Sequence, residues 1–397
     1  MNKKRSAFSG KIGYVLSAAG ASVGLGNIWR FPYLAAKYGG GIFLLVYIIL
    51  ALTFGYTMIV AESALGRMTR KSPVGAFRSF AKGKKVGWLS FGGWINAIIP
   101  VLIVPYYSVI GGWVVKYLFE YIRGNGSKLA EDGYFSGFIS NGGATEICFV
   151  IFCMFTLVII YAGVQNGIER VSKIMMPILI VLSVIIAIYS VTRPGAIEGV
   201  KYFLVPNVKN FSWMTVVAAM GQMFYSLSIA MGILVTFGSY MRKDTSIEDS
   251  TGNVEIFDTA IAMMAGLMII PAVFAFSGGD PDTLQAGPSL MFITIPKVFA
   301  NMGFGTAVGI LFFVLVLFAA VTSSIALTES AVSTFEDELG WGRKKATVLT
   351  GVIMIALGTL SCLGYGPLDF VKIIGMQFLD FFDFMRNSVM MPIAALM

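Results

Sequence analysis

The chain has 397 residues, 57% of them hydrophobic and 13% charged, with a mean hydropathy of +0.80, which excludes a string of soluble domains and places most of its length in a bilayer. It contains no histidine, which removes Ser-His-Asp hydrolysis, histidine-ligated zinc or haem, and any imidazole proton relay. The net charge of +8 sits at the ends of apolar runs rather than on one folded face, which argues against a nucleic-acid partner, and Cys148, Cys153 and Cys362 all lie inside apolar runs, where they offer neither a disulfide framework nor a metal motif.

A hydrocarbon core of about 30 Å requires about 20 apolar helical residues. Long runs free of Asp, Glu, Lys and Arg occupy 12–29, 38–61, 86–115, 147–168, 174–192, 210–241, 259–279, 298–328 and 346–368, predicting nine spans. A tenth run begins after Arg386 and reaches only Met397, so the tenth helix is expected to be incomplete and the protein truncated at its C-terminus. Lys3, Lys4, Arg5 and Lys11 precede the first run, and Arg67, Arg70, Lys71, Arg78, Lys82, Lys84 and Lys85 follow the second. Basic residues in short connections favour the cytoplasm, so the N-terminus is predicted inside a multi-pass protein of the cell (inner) membrane. The connections at 169–173, 242–249 and 337–345 then share that side, and the polar loops at 124–143 and 194–209 face the other. The first run lacks a small-residue cleavage site and continues into Arg30-Phe31-Pro32, unlike a signal peptide.

Two spans differ from the rest. The first contains Gly20, Gly24 and Gly26 followed by Asn27, and the sixth runs from Gly221 through Ser226 and Ser228 to Gly232. Glycine lets a backbone leave helical geometry, and irregular backbone at membrane depth survives only where it lines a cavity or contacts protein. Two breaks five spans apart predict an inverted-repeat carrier with its site at the midplane. The spacing of Gly20 and Gly24 also suits a simple helix-packing face. Packing alone leaves the crowding of Ser22, Asn27, Ser226 and Ser228 at these points without a purpose.

The run Asn27-Ile28-Trp29-Arg30-Phe31-Pro32-Tyr33, with Gly39-Gly40-Gly41, Gly221-Gln222, Ser226-Leu227-Ser228 and Thr322-Ser323-Ser324, resembles the neurotransmitter:sodium symporters of the LeuT type, and the likeness extends from Arg5 to about Asp383. The resemblance implies an all-α polytopic membrane protein, a single transporter domain of five-plus-five inverted spans in which the first and sixth helices are unwound. Residues 1–192 would form the first repeat and 210–397 the second.

For a first sodium ion the resemblance implies the Ser22 carbonyl, Asn27, Ser226, Asp258 and the substrate carboxylate. For a second it implies the carbonyls of Gly20, Val23 and Ala319 with the hydroxyls of Thr322 and Ser323. All are hard oxygen donors, as sodium requires. Without the motif, Thr322 and Ser323 would read as ordinary hydroxyl back-bonding within a helix. A carboxylate shared between ion and substrate makes each raise the other's affinity. Asp258, at the start of the seventh charge-free run, reads either as a helix cap or as a fixed negative charge replacing the chloride that some relatives borrow. The second reading implies chloride-independent transport and makes Asp258 the candidate proton carrier.

Gly24 stands where monoamine carriers of the family place an aspartate, so the implied substrate is an amino acid. Its carboxylate would meet the N–H groups of Leu25 and Gly26 and the Tyr107 hydroxyl, and its ammonium the carbonyls of Ser22 and Tyr225 with Ser226 and Ser228 nearby. Ile103, Tyr225, Met231, Ser323 and Leu327 would wall the pocket, which favours a large neutral residue, aromatic or branched. The implied gates are Arg30 with Asp383 outside and Arg5 with Asp337, beside Tyr240, inside. Glu62 reads either as an interfacial charge or as support for the sixth-span break. No enzyme motif is present. A proton-coupled or uncoupled carrier, or a non-transporting amino-acid sensor on the same scaffold, remains the alternative reading.

Overall fold

A computed structural model describes residues 5–81, 89–278 and 287–397, so Lys3, Lys4, Lys82, Lys84 and Lys85 lie outside the described residues. Among the described residues every extended element is a helix, since a bilayer leaves no water to satisfy an open strand edge. Seven unbroken helices are long and apolar enough to cross a membrane: Gly41–Thr69, Ser90–Ile122, Gly142–Ala162, Val164–Val191, Ile247–Ser277, Gly305–Glu338 and Arg343–Leu363. Two further crossings are segmented. The first is built from Lys11–Ser22 and Phe31–Lys37, joined by a widened turn over Gly26–Arg30. The sixth is built from Trp213–Ser226 and Ile233–Tyr240, and a last helix runs without interruption through Phe378–Phe384, a widened turn over Met385–Met390 and Met391–Leu396.

One face of each outer helix is left to lipid. In the fourth span Ile147, Ile151, Met154 and Val158 are exposed at helical spacing while Phe149, Phe152, Cys153 and Ile160 are buried. The first half of the first span packs against spans five, seven and eight, and the third span lies along the eighth. The broken helices therefore sit in the middle of the bundle. Short helices over Gly126–Leu129, Tyr134–Ser140 and Ala196–Leu204 cover the end opposite Arg5. There Lys297 hydrogen-bonds the exposed Asp132 carboxyl and holds it below the usual carboxylate range.

Several span boundaries differ from the charge-free runs. The second helix continues past Glu62 to Thr69, and the third past Lys116 and Glu120 to Ile122. The turn between spans four and five falls at Gly163, whose φ of 97° suits glycine, rather than at 169–173. Glu169 and Lys173 instead form an ion pair one turn apart inside the fifth helix. The seventh helix begins at Ile247, capped by Ser246, so Asp258 is a mid-helix residue and not a cap. The run 298–328 spans two elements, a helix ending at Ala300 and the eighth span, which begins at Gly305. The tenth helix starts at Phe378 and takes in Asp380, Asp383 and Arg386. In each case a charge inside a helix has a protein partner or a water-facing end, which the count of uncharged residues treats as a boundary. The three cysteines are unpaired, as expected.

Close backbone approach fixes the second span against the inner half of the sixth. A Cβ at Gly66 would lie 2.0 Å from the Val235 carbonyl oxygen, and one at Gly238 would lie 2.4 Å from that of Ser63. Gly66→Ala is therefore expected to lower the thermal midpoint of the purified protein in detergent, with the loss of about 1–3 kcal/mol typical of overpacking. Gly137→Ala, where an added Cβ meets nothing within 4 Å, should leave the midpoint unchanged.

Candidate functional site

The first helix ends at Ser22, and Val23 turns to extended geometry with ψ 99°. The break frees carbonyls that would otherwise be bonded within the helix. The Ser323 hydroxyl lies 3.3 Å from the carbonyl oxygens of Gly20, Ala21 and Val23 alike, and the Ser228 hydroxyl donates to Ala21 O at 3.2 Å. A hydroxyl has one proton, so it cannot serve three carbonyls at once. Thr322 Oγ1 donates to Phe318 O and Ala319 O on its own helix at 3.0 and 3.2 Å. Its Cβ would lie 3.1 Å from a Cβ at Gly20, so the first and eighth spans touch here. The structure thus brings together Gly20, Val23, Ala319, Thr322 and Ser323, the residues the resemblance assigns to a second sodium. Oxygens converging in excess of available protons suit a small hard cation.

A second cluster surrounds Asp258, which is fully buried. Ser226 Oγ lies 2.9 Å from both of its carboxylate oxygens, Asn27 Nδ2 donates to Oδ1 at 2.8 Å and Tyr47 OH to Oδ2 at 3.1 Å. Asn27 Nδ2 also lies 2.9 Å from Ser226 Oγ and 3.4 Å from Asp258 O. Asn27 Oδ1 in turn accepts the Gly24 N–H at 3.2 Å, so this amide ties the first break to Asp258. Gln222 Nε2 donates to Gly26 O at 3.1 Å across the two breaks. Tyr47 and this use of Gln222 carry no signal in the sequence. A tyrosine in an apolar helix reads as an interface anchor, and only the fold brings Tyr47 to Asp258.

Between the clusters lies a cavity of about 30 Å³. Its wall includes Ser22, Gly24, Leu25, Gly26, Ile103, Tyr107, Tyr225, Ser228, Met231, Ser323 and Leu327, all expected there, together with Ala21, Ile233 and Arg386. Ser226 is not on that wall, because its hydroxyl is turned onto Asp258. The Leu25 N–H points at Tyr107 OH, 3.4 Å away. Both glycines are demanded by space: a Cβ at Gly24 would meet Ser323 Oγ at 2.5 Å, and one at Gly26 would meet Tyr225 Cε1 at 2.1 Å.

In the sixth-span break Ser228, Ala230 and Gly232 adopt φ of 55°, 60° and 69°. Two of these are not glycine, so the conformation costs free energy that neighbours must offset. Glu62 does so, its carboxylate accepting the Ala230 N–H at 2.7 Å.

The two ends of the bundle differ. At the N-terminal end Arg5 bonds Asp337 at 2.6 Å and Ser333 at 2.7 Å and lies 4.9 Å over the Tyr240 ring, while Tyr240 OH donates to Glu329. Phe8 is buried beside them against the rings of Tyr14, Phe237 and Tyr240. At the other end the expected Arg30–Asp383 pair is not formed. Arg30 lies 4.8 Å over the Tyr225 ring, while Asp383 accepts from Tyr106 at 2.8 Å and Asn387 at 2.9 Å, with Arg386 at 3.7 Å. The oxygens that would hold Arg30 are already bonded, though both residues line one cavity of about 270 Å³ above Tyr107 and Tyr225.

The profile of the Sodium:neurotransmitter symporter family matches residues 5–127 and 134–397. The chain is 37% identical to the sodium-dependent transporter YhdH of Bacillus subtilis, over 98% of this chain and 86% of that one. It is 33% identical to a sodium-dependent transporter of Haemophilus influenzae, over 100% and 88% respectively. The crystal structure of MhsT in complex with L-phenylalanine superposes with a TM-score of 0.88 at 39% identity, covering 99% of this chain and 89% of that one.

Removing the Glu62 carboxylate leaves the Ala230 N–H without a partner at membrane depth. Glu62→Ala is expected to weaken sodium-dependent ligand binding about tenfold or more, as for a hydrogen bond to a charged group. Glu62→Gln, which keeps an accepting oxygen, should retain most of the binding in the same equilibrium assay.

Proposed function

We propose that this protein, which belongs to the sodium:neurotransmitter symporter family, imports a large neutral amino acid together with two sodium ions by alternating access, without chloride and with its N-terminus in the cytoplasm. The observation that carries the proposal is the convergence of two oxygen clusters on the paired breaks of spans one and six, with the cavity lined by Gly24, Leu25, Gly26 and Tyr107 between them.

In this reading the first sodium sits among the Ser22 carbonyl, Asn27, Ser226 and Asp258 and takes its last oxygen from the substrate carboxylate. The second bridges Gly20 and Val23 on the first span to Ala319, Thr322 and Ser323 on the eighth, locking the half-helix against its neighbour. The backbone N–H groups of Leu25 and Gly26, at the start of the second half-helix, and the Tyr107 hydroxyl orient the carboxylate. Gly24 carries no acidic side chain to meet a lone amine, and a Cβ there would crowd the Ser323 hydroxyl at 2.5 Å, which supports a ligand that brings its own carboxylate. A large substrate enters once the Tyr225 lid and Met231 move, because the cavity in this closed arrangement measures only about 30 Å³. The flexible Met231 thioether suits that adjustment.

Chloride independence follows from Asp258. Tyr47, Asn27 and Ser226 aim their donors at one point, and a carboxylate already stands there to balance sodium. The Arg5–Asp337 pair closes the cytoplasmic end, and its partial exposure keeps it weak enough to break in each cycle. The density of basic residues at the Arg5 end, including Arg67, Arg70, Lys71 and Arg78, supports the assigned orientation.

Counterflow in proteoliposomes against a panel of amino acids, with and without sodium, tests the proposal, and sodium-independent exchange would overturn it. Thr322→Ala with Ser323→Ala should lower apparent sodium affinity by about tenfold or more, as expected when two ligand oxygens are removed from a charge. Replacing chloride by gluconate should leave uptake by the natural sequence unchanged, while Asp258→Ser should create a chloride requirement.

A further inference from the structure

Arg386 occupies the last charged position before the final apolar run and would be expected at a water-facing helix end. Instead it is 2% exposed, within the widened turn of the tenth span, and its guanidinium lines the same cavity as Gly24, Tyr107 and Ser323. Its Nη2 lies 3.7 Å from the Met231 sulfur and its Cζ 4.3 Å from the centre of the Tyr225 ring, so it stands on the side of the cavity assigned above to the variable part of the substrate.

Its hydrogen-bonding capacity is only partly spent. A guanidinium carries five N–H donors and must place them on acceptors when buried. Here Nη1 bonds Asn387 Oδ1 at 2.6 Å, Nη2 meets the weak thioether acceptor of Met231, the Tyr225 side chain is a further hydrogen-bonding partner, and the buried Nε has no partner among the described residues. Asp383, at 3.7 Å, is too distant for a hydrogen bond, and its oxygens already serve Tyr106 and Asn387. Asp380, one turn earlier, accepts from Tyr365. Arg30 shares the Tyr225 ring, so two cations crowd that ring while only Arg386 approaches a carboxylate, Asp383 at 3.7 Å. A structural arginine whose only task was to seal the lid would be expected to have its carboxylate in contact. One that reads a ligand keeps donors free for it.

We propose that Arg386 selects the substrate by its side group, admitting an amino acid that bears an oxygen acceptor there in preference to a hydrocarbon of the same length. The inference rests on the amino-acid reading of this pocket and narrows it, from any large neutral residue to one that ends in a phenol or carboxamide oxygen. A pocket built to hydrogen-bond a polar group discriminates strongly against the analogue that lacks it, because its own donor is then left buried and unpaired.

Matched pairs of competitors test this in scintillation-proximity binding to the purified full-length protein in sodium. Tyrosine is expected to compete more tightly than phenylalanine, and glutamine more tightly than methionine, by about 10- to 100-fold, the worth of a hydrogen bond to a charged group. R386M should bring both ratios to near unity, while R386K, which keeps a cationic donor, should restore part of them. Equal competition within each pair in the natural sequence overturns the inference, as do ratios that R386M leaves unchanged. Should R386M fail to fold, the ratios in the natural sequence decide alone. If no amino acid binds in sodium, the transport reading itself fails, whereas sodium-dependent binding without the pairwise preference sinks only the role of Arg386.

Discussion

A helix that stops inside a bilayer leaves carbonyls without donors at one new end and amides without acceptors at the other, in a region with no water to satisfy them. This protein meets that problem twice, at residues 23–25 and 227–232, and the rest of the bundle is arranged around its solution. Ser323 and Ser228 address the carbonyls of the first break, Gln222 takes Gly26 O, Tyr107 stands against the Leu25 amide and Glu62 receives the Ala230 amide. These partners come from four helices. The polar groups of the two breaks therefore find these partners only where spans two, three, six and eight come together.

The solution is left incomplete. With Ser228 donating to Ala21 O, the carbonyls of Gly20 and Val23 still share the single proton of Ser323, and the Asn27 amide nitrogen lies among oxygens of Ser226 and Asp258. A fold aimed only at stability would place one donor per acceptor, since each unpaired buried polar group costs about 1–3 kcal/mol. A surplus of oxygens is what a cation can satisfy. On the proposed reading, the binding of ions and the repair of broken helices are one energetic event, through which sodium would bias the arrangement of the first span relative to the eighth.

The same logic separates the two ends of the pathway. At the Arg5 end, arginine, carboxylate and hydroxyls are in contact, and Phe8 fills the space beside them. At the opposite end two guanidiniums crowd the Tyr225 ring while the nearest carboxylate is bonded elsewhere. One end is closed by complementary charge and the other by an aromatic lid under cations with donors to spare.

Much of this was legible in the sequence because its signals are local. Glycine-rich interruptions in otherwise apolar spans, with Asn27, Ser226, Ser228, Thr322 and Ser323 beside them, identify the breaks and the hydroxyls that serve them, and a charge-poor composition dictates helices. The helix limits around Glu62, Asp258 and Arg386 were not legible. Counting uncharged residues assumes that a charge marks the membrane surface, and these three are held at depth by partners far away in sequence or face the pocket itself. Likewise Tyr47 reads as one more aromatic in an apolar run until folding brings its hydroxyl to Asp258. The sequence by itself determined that the protein crosses the bilayer many times and where its backbone must break. Only the tertiary structure decided which buried charges meet, because pairing an ionised group with donors on other helices is what makes its burial tolerable, and that pairing has no local signature.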